Sequence, residues 1–268
     1  MKTRAITAFF FAAAMLASFF LGSAFFTFFY WLLSGACLLE FYRLVKSEHT
    51  QPLTTIGLFL GLMIFLLGIA AAKGEFDPTN LLLLVPIVLA IYINELYRKS
   101  PQPFNNISYT IFGPIYTVLP FCFFYGLSFL SGEYNYQLSL GTLLLIWAND
   151  SGAYVFGVKF GKHRLFERHS PKKSWEGFVG GLLVAFLSAG VLSQFFQVVN
   201  PTNWLVVALI CSIAGTYGDL SESMLKRSIG TKDSGGLLPG HGGLLDRFDS
   251  LFFAAPAVYF YLTFIKLL

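Results

Sequence analysis

Two carboxylates stand three residues apart at the entrance to the last apolar segment of the chain. On a helix, Asp246 and Asp249 would point to the same face, with Arg247 turned away from it. Such a pair without an intervening base suits Mg²⁺, which in proteins takes one or two carboxylates together with phosphate oxygens and waters. The alternative is that the two acids cap the N-terminus of a helix. Together with the residues upstream, the spacing favours a metal site.

The stretch before these acids is rich in cations and glycines. It carries the adjacent pair Lys226 and Arg227, then Lys232 and His241, and six glycines lie between that pair and the two acids. Glycines let backbone N–H groups approach an anion, and cationic side chains neutralise phosphate charge. A polar loop between apolar segments is costly to keep unless it handles something charged. We therefore expect residues 223–249 to bind phosphates.

The apolar segment before this stretch carries a polar stripe. Its polar and small residues recur at intervals of three or four and share one face of a helix: Gly215, Asp219, Glu222, Ser223 and Lys226. A carboxylate at the centre of a bilayer costs about 2.5–3.5 kcal/mol on insertion scales. The stripe should therefore face a cavity, a metal or a cation. An intrahelical pair of Glu222 with Lys226 is an alternative for Glu222, but it does not account for Asp219.

Two weaker polar sites lie upstream. Asn149 and Asp150 interrupt an apolar segment, either to line a polar pocket or to bond neighbouring helices. Further on, Lys172 and Lys173 come just before a helix start marked by Ser174. Helix N-termini bind phosphate, so a triphosphate could lie there.

The composition shows which elements must position these residues. Hydrophobic residues make up 56%, charged residues 12%, and the mean hydropathy is +0.66, whereas a soluble domain carries about 25% charged residues. We expect an all-α polytopic integral membrane protein with a polar active-site cavity open to the cytoplasm. At about 20 residues per crossing, the apolar segments predict about nine transmembrane helices: 5–21, 24–43, 54–72, 80–97, 106–130, 137–158, 177–197, 203–224 and 250–267.

These helices divide into two predicted regions. Residues 1–130 would hold five N-terminal transmembrane helices, and residues 131–268 would form a catalytic domain of four, with cytoplasmic loops near 159–176 and 225–249. The first apolar segment is interpreted as a span and not as a cleaved signal peptide, because a second apolar segment follows it at once.

The basic residues predict the orientation. With the N-terminus inside, all but Lys73 and Lys266 of the 18 Lys and Arg residues fall on the cytoplasmic side, as the positive-inside rule requires. Both polar loops then face the cytoplasm, where nucleotides are found, and the C-terminus lies outside.

The chain lacks the motifs of common nucleophile and nucleotide sites. It has no G-x-S-x-G, H-E-x-x-H, P-loop or G-x-G-x-x-G sequence after a strand. A reaction whose nucleophile is already an anion, such as a phosphate oxygen, needs no general base. It needs charge neutralisation and in-line placement of the reactants.

Residues 223–249 resemble the signature of the phosphatidate cytidylyltransferases, also called CDP-diacylglycerol synthases. The resemblance rests on Ser223, Lys226-Arg227, Lys232-Asp233, Pro239-Gly240-His241-Gly242-Gly243 and Asp246-Arg247-Phe248-Asp249. Weaker similarities cover Asp150–Tyr154 and Ser170–Gly177, where the family often has Thr at the position of Ser174. The first five spans match the family only in hydropathy.

The resemblance implies an enzyme of phospholipid biosynthesis that condenses CTP with phosphatidic acid and releases pyrophosphate. It also implies Mg²⁺ dependence, with a second cation, divalent or K⁺, left open, and a homodimer in a bacterial cytoplasmic (inner) membrane without a nucleic-acid partner. Asp219, Asp246 and Asp249 would hold the metal, and Lys226 would act with them in catalysis. The expected contacts to CTP and phosphate are Lys172, Lys173, Ser223, Arg227, Lys232, His241, Gly242, Gly243 and Arg247, and a polar pocket would hold Asn149, Asp150 and Glu222.

Two other functions remain open at this point. A CTP-dependent polyprenol or lipid kinase would transfer the γ-phosphoryl group to an alcohol, and only His241 or an aspartate could serve as its base. An anion or metal transporter would be expected to spread its charged residues along several spans, whereas here they concentrate in one loop.

Overall fold

The computed structural model describes residues 2–236 and 242–267. Within them the chain forms ten α-helices and one β-hairpin. The helices are α1 (Lys2–Phe20), α2 (Ser23–Val45), α3 (Thr54–Ala72), α4 (Leu84–Arg98), α5 (Pro103–Gly113), α6 (Leu119–Leu127), α7 (Gln137–Phe160), α8 (Trp175–Phe195), α9 (Pro201–Ser228) and α10 (Leu245–Leu267). A 3₁₀ segment, Pro78–Leu83, leads into α4, and a π-helical turn, Pro114–Val118, joins α5 to α6.

Each predicted span coincides with one of these helices or with a run of them. The fourth consists of the 3₁₀ segment and α4, and the fifth consists of α5, the π-helical turn and α6. In the part of the chain that is described, seven helical segments are long and apolar enough to cross a membrane. Two helices, α1 and α7, are not among the seven. The prediction of an all-α polytopic membrane protein is confirmed, and the count of nine crossings stays a prediction.

The chain forms two compact units. The first comprises Met1–Tyr134 and Asp233–Asp246, and the second comprises Asn135–Lys232 and Arg247–Leu268. The loop before α10 is therefore grouped with the N-terminal helices, while most of α10 belongs with α7, α8 and α9.

The core of the first unit is a cluster of aromatic rings between α2 and α6. The side chains of Phe26, Tyr30, Phe124 and Tyr125 are fully buried. Ring centroids lie 4.6 Å apart for Phe26 and Tyr30, 5.1 Å for Tyr30 and Phe124, and 5.8 Å for Phe26 and Tyr125. Such tilted and stacked contacts add to the packing of large aromatic side chains, so α2 is held firmly against α6.

A proline turn in the first unit is stabilised by the same helix α2. Pro114 has no N–H group, so it cannot donate to the carbonyl of Thr110 as a helical residue would. The hydroxyl of Tyr42, on α2, donates to that carbonyl at 2.7 Å. The hydroxyl of Thr117 donates to the Gly113 carbonyl at 2.9 Å within the π-helical turn. Neighbouring groups thus satisfy the carbonyls that the break in the helix exposes.

Close helix packing in the second unit occurs at its polar residues. A Cβ atom on Gly181 of α8 would come within 2.7 Å of the Asn149 carbonyl oxygen and 2.8 Å of its side-chain oxygen on α7. A Cβ atom on Gly218 of α9 would overlap the backbone carbonyl of Asp249 on α10. Small residues allow membrane helices to approach closely, so Gly181 lets α8 approach α7 beside Asn149, and Gly218 lets α9 approach α10 beside Asp249.

The predicted loop at 159–176 contains a short β-hairpin that was not anticipated from the sequence. Strand β1 (Arg164–Phe166) pairs antiparallel with β2 (Ser170–Ser174), and β2 runs directly into α8. The Ser174 hydroxyl oxygen accepts a hydrogen bond from Gly177 N–H at 3.1 Å, which confirms the predicted helix start and is a standard N-cap. The Glu176 carboxylate accepts from the backbone N–H of Lys162 and contacts His163 Nδ1 at 2.6 Å. These contacts fix the hairpin to the start of α8.

Candidate active site

The centre of the site in the second unit is an ion pair between β2 and α9. The Nζ atom of Lys173 lies 2.7 Å from Asp219 Oδ2, and the two side chains are 26% and 34% exposed. The hydroxyl of Ser223, one helical turn further along α9, donates to Asp219 Oδ1 at 3.3 Å. Asp219 therefore faces a cation, as the polar stripe predicted. The neighbouring Lys172 is exposed to solvent.

Four carboxylates of the second unit lie within electrostatic range of one another. Asp249 on α10 interacts with Asp219 and Glu222 of α9 and with Asp150 of α7, and Asp150 also interacts with Asp219. The charges of Asp150 and Lys173 attract each other as well. Like charges that approach one another repel, and a cation bound nearby would relieve that repulsion.

The rest of the polar stripe forms an internal pair. Glu222 is fully buried, and its Oε1 lies 3.4 Å from Lys226 Nζ one turn away. The Lys226 side chain is 12% exposed. The intrahelical pair of Glu222 with Lys226, which the sequence analysis considered as an alternative, is therefore present. Asp219 pairs with Lys173. Removing one partner of a buried ion pair is strongly destabilising, so the catalytic role predicted for Lys226 stays a prediction beside its pairing with Glu222.

Asn149 is buried beside the carboxylates. It is 3% exposed, and its Nδ2 lies 3.5 Å from Asp150 Oδ1. Its Oδ1 atom is buried without a hydrogen-bond partner among the described residues. The predicted pocket of Asn149, Asp150 and Glu222 thus has its three residues on α7 and α9, and these two helices pack against each other.

In the first unit, Asp246 accepts hydrogen bonds from the loop before α10. Its Oδ2 atom accepts from Ser234 N–H at 3.2 Å, from the Ser234 hydroxyl at 2.8 Å and from Gly243 N–H at 3.2 Å. Gly243 was predicted from the sequence to contact phosphate. In the structure its N–H group donates to Asp246. Gly242 has φ 81°, a backbone conformation that favours glycine.

Three cationic residues that were predicted to contact CTP or phosphate lie at the surface. Arg227, Lys232 and Arg247 are exposed, and Arg227 donates to the Thr231 carbonyl at 3.1 Å. These cations are accessible to an anionic ligand. His241 lies outside the described residues.

Two buried polar residues of the first unit were not singled out from the sequence. Glu40 on α2 is 1% exposed, and Ser234 is 3% exposed. Glu40 could have been noticed, because an ionisable residue inside an apolar segment is by default a functional candidate. Ser234 gave no comparable signal, since serine is common in loops.

The oxygen donors of the second unit fit a magnesium ion. In the described residues, no group of three His, Cys, Asp or Glu side chains is already arranged around a metal position. Mg²⁺ does not require such a group, because it commonly uses one or two carboxylates and completes its octahedron with phosphate oxygens and waters. Asp219 and Asp249, on adjacent helices with like charges in range, supply donors of that kind.

The fold and the site together define a polytopic α-helical membrane protein whose polar residues are suited to an anionic phosphate substrate. The family model described as "Cytidylyltransferase family" matches residues 2–265. The chain belongs to this family, and the resemblance drawn from residues 223–249 is confirmed and extends over residues 2–265.

Several relatives carry the name phosphatidate cytidylyltransferase. The protein of Bacillus subtilis (strain 168) is 34% identical over 264 residues, which cover 98% of this chain and 97% of that protein. The protein of Staphylococcus haemolyticus (strain JCSC1435) is 33% identical over 259 residues, or 96% of each chain. That of Staphylococcus saprophyticus is 37% identical over 207 residues, or 70% of this chain and 76% of the relative.

Proposed function

We propose that this protein is a nucleotidyltransferase that condenses CTP with phosphatidic acid to form CDP-diacylglycerol and pyrophosphate in phospholipid biosynthesis. The observation that carries the proposal is the match of nearly the whole chain to relatives named for this activity. The two substrates follow from the enzyme class, and the apolar helices supply the membrane in which one of them resides.

In the proposed reaction, a phosphate oxygen of phosphatidic acid attacks the α-phosphorus of CTP. A new P–O bond forms there, the bond between the α-phosphorus and the α,β-bridging oxygen breaks, and its electron pair leaves with pyrophosphate. The nucleophile is already an anion, so no general base is required. Rate acceleration would come from in-line placement and from neutralising the charge on the phosphates.

Mg²⁺ is proposed as the cofactor, held by Asp219 and Asp249. Asp246 is also proposed as a metal ligand, on the basis of its spacing from Asp249 in the sequence. When bound, the ion would neutralise phosphate charge and polarise the phosphoryl oxygens. A second cation, divalent or K⁺, is compatible with the surplus of carboxylates around Asp219.

The cations have separate proposed tasks. Lys173 lies beside Asp219 and would contact the reacting phosphates. Lys226, on the same stripe of α9, would act with the carboxylates in catalysis. Arg227 would bind a terminal phosphate with its planar, two-pronged guanidinium. The exposed Lys172, Lys232 and Arg247 would attract the triphosphate from solution.

We also propose nine membrane crossings in a bacterial inner membrane, with the N-terminus and both polar loops in the cytoplasm and the C-terminus outside, and assembly as a homodimer. The distribution of Lys and Arg supports this orientation. The bacterial sources of the relatives support the compartment.

Cysteine labelling tests the orientation. Gly236 is exposed, and a Cβ atom there meets nothing within 4 Å, so Gly236→Cys should be tolerated. With Cys37, Cys122 and Cys211 replaced, an impermeant thiol reagent should label this variant only after the membrane is opened. Glu75→Cys, exposed after α3 on the predicted outer side, is the matched control and should be labelled in intact cells. Labelling of the position 236 variant in intact cells would refute the orientation.

Isotope transfer tests the reaction. Purified protein is incubated with phosphatidic acid, Mg²⁺ and CTP that carries its label at either the α- or the γ-phosphate. We expect the α-label in the lipid product and the γ-label in pyrophosphate. Transfer of γ-label to an added lipid alcohol would instead identify the kinase, and entry of neither label into lipid would favour the transporter.

A further inference from the structure

A buried carboxylate on membrane helix α2 is bonded to the loop that precedes α10. Glu40 is 1% exposed. Its Oε2 atom accepts a hydrogen bond from Leu244 N–H at 2.6 Å, and its Oε1 atom lies 3.1 Å from the Ser234 hydroxyl oxygen. These three residues belong to the same compact unit. A buried acid in a membrane helix is costly unless it has partners, and here both of its oxygens contact this loop.

Two glycines of the loop make room for this carboxylate. A Cβ atom on Gly243 would overlap both Glu40 Oε1 and the Ser234 hydroxyl oxygen, and one on Gly235 would come within 2.5 Å of the same Glu40 oxygen. The neighbouring Gly236 is different, because a Cβ atom there would meet nothing within 4 Å. The loop backbone is therefore shaped around the Glu40 side chain at Gly235 and Gly243.

Ser234 connects Glu40 to Asp246. Its hydroxyl oxygen lies 3.1 Å from Glu40 Oε1 and 2.8 Å from Asp246 Oδ2. A serine hydroxyl has one proton, so it can donate to only one of the two carboxylates at a time. The position of the Glu40 side chain therefore influences the hydrogen bond that Asp246 receives.

We propose that Glu40 is a positioning residue, which holds Ser234 and Leu244 in place and through Ser234 orients the Asp246 carboxylate towards a cation. This inference rests on the proposed function, in which Asp246 is a metal ligand. It gives the N-terminal helices a part in the reaction, because α2 is held by its aromatic contacts with α6 and carries the residue that contacts Ser234 and Leu244.

We expect glutamine at position 40 to take over the role of Glu40, and alanine to fail to do so. In Glu40→Gln, the oxygen of the introduced amide can accept from Leu244 N–H, and its nitrogen can donate to the Ser234 oxygen, which leaves the serine proton for Asp246. Alanine removes both contacts. The matched control is Glu95→Ala, because Glu95 is a buried acid of the same unit, 2% exposed, whose carboxylate accepts from Asn106 at 2.6 Å.

Hydrogen exchange of the metal-free protein provides a measurement that does not depend on activity. Glu40→Ala should raise the exchange rate of the Leu244 amide by about 10-fold or more, as expected for loss of a hydrogen bond to a charged group. Glu40→Gln and Glu95→Ala should leave this rate close to that of the parent. If Leu244 exchanges equally fast in Glu40→Ala and in the parent, Glu40 does not hold Leu244 in place.

The magnesium dependence of α-label transfer tests the functional part. Glu40→Ala should raise the Mg²⁺ concentration for half-maximal activity by about 10-fold or more, with the KM for phosphatidic acid unchanged, and Glu40→Gln should match the parent. A role in stability alone would lower the amount of folded enzyme without changing the Mg²⁺ requirement, and that result would overturn the inference.

Two further outcomes keep the test decisive. If Glu40→Ala cannot be purified, Ser234→Ala should show the same increase in Mg²⁺ requirement, and an unchanged requirement would contradict the proposal. If the parent transfers no α-label, the proposed function fails, while the Leu244 exchange rates still decide whether Glu40 holds Leu244 in place.

Discussion

Asp219→Asn is expected to lower kcat for α-label transfer by at least about 100-fold. The amide has almost the same shape as the carboxylate, but it carries no charge to hold a cation or to pair with Lys173, whose Nζ lies 2.7 Å away. The measurement is the initial rate of transfer over a range of Mg²⁺ concentrations. Near-parent activity at limiting Mg²⁺ would show that Asp219 is not a metal ligand.

Asp77→Asn is the matched control for this substitution. Asp77 is an exposed residue of the first unit, directly before the 3₁₀ segment. Its carboxylate accepts hydrogen bonds from the backbone N–H and from the hydroxyl of Thr79, each at 2.8 Å. These hydrogen bonds lower the pKa of Asp77, so its carboxylate is charged at neutral pH. The control thus removes the same charge by the same chemical change, and we expect it to leave kcat and the Mg²⁺ requirement unaltered.

Lys173→Ala should produce the second large effect, a decrease in kcat of about 100-fold, whereas Lys172→Ala should change it by less than about threefold. The two lysines are adjacent, but Lys173 is half-buried against Asp219 and Lys172 is exposed. Charge stabilisation is stronger at a partly buried position, because water screens an exposed ammonium group.

Steady-state kinetics with CTP and phosphatidic acid varied in turn would measure both lysine variants. Lys173→Arg keeps the positive charge and should retain more activity than Lys173→Ala. Equal losses in Lys172→Ala and Lys173→Ala would refute the separate roles, and would indicate that both lysines act as general cations at the membrane surface.

The helices were predictable from the sequence because hydropathy acts locally. A run of about 20 apolar residues has few stable alternatives to a helix in a membrane, and all nine predicted segments are helical. The hairpin at Arg164–Ser174 was missed because it is short and polar. Glu176 accepts a hydrogen bond from Lys162 just before the hairpin, and no periodic sequence pattern indicates such a contact.

The polar stripe on α9 was also predictable, for a related reason. The regular turn of a helix places Asp219, Ser223 and Lys226 on one face whatever surrounds them. The same regularity allowed the Glu222–Lys226 pair to be foreseen as an alternative, and the structure contains it. Residue types indicated the chemistry as well, since carboxylates, cations and glycines in one loop favour phosphates and a metal.

The sequence by itself thus determined the membrane class, the helices and the side chains that share a helix face, and it predicted the chemistry of the loop. The tertiary structure alone decided which distant side chains meet. In the structure Lys173, and not Lys172, pairs with Asp219, and Glu40 on α2 accepts a hydrogen bond from Leu244 just before α10. Spacing along a helix follows from backbone geometry, whereas a contact between remote segments depends on how whole helices pack, and no local pattern in the sequence specifies that packing.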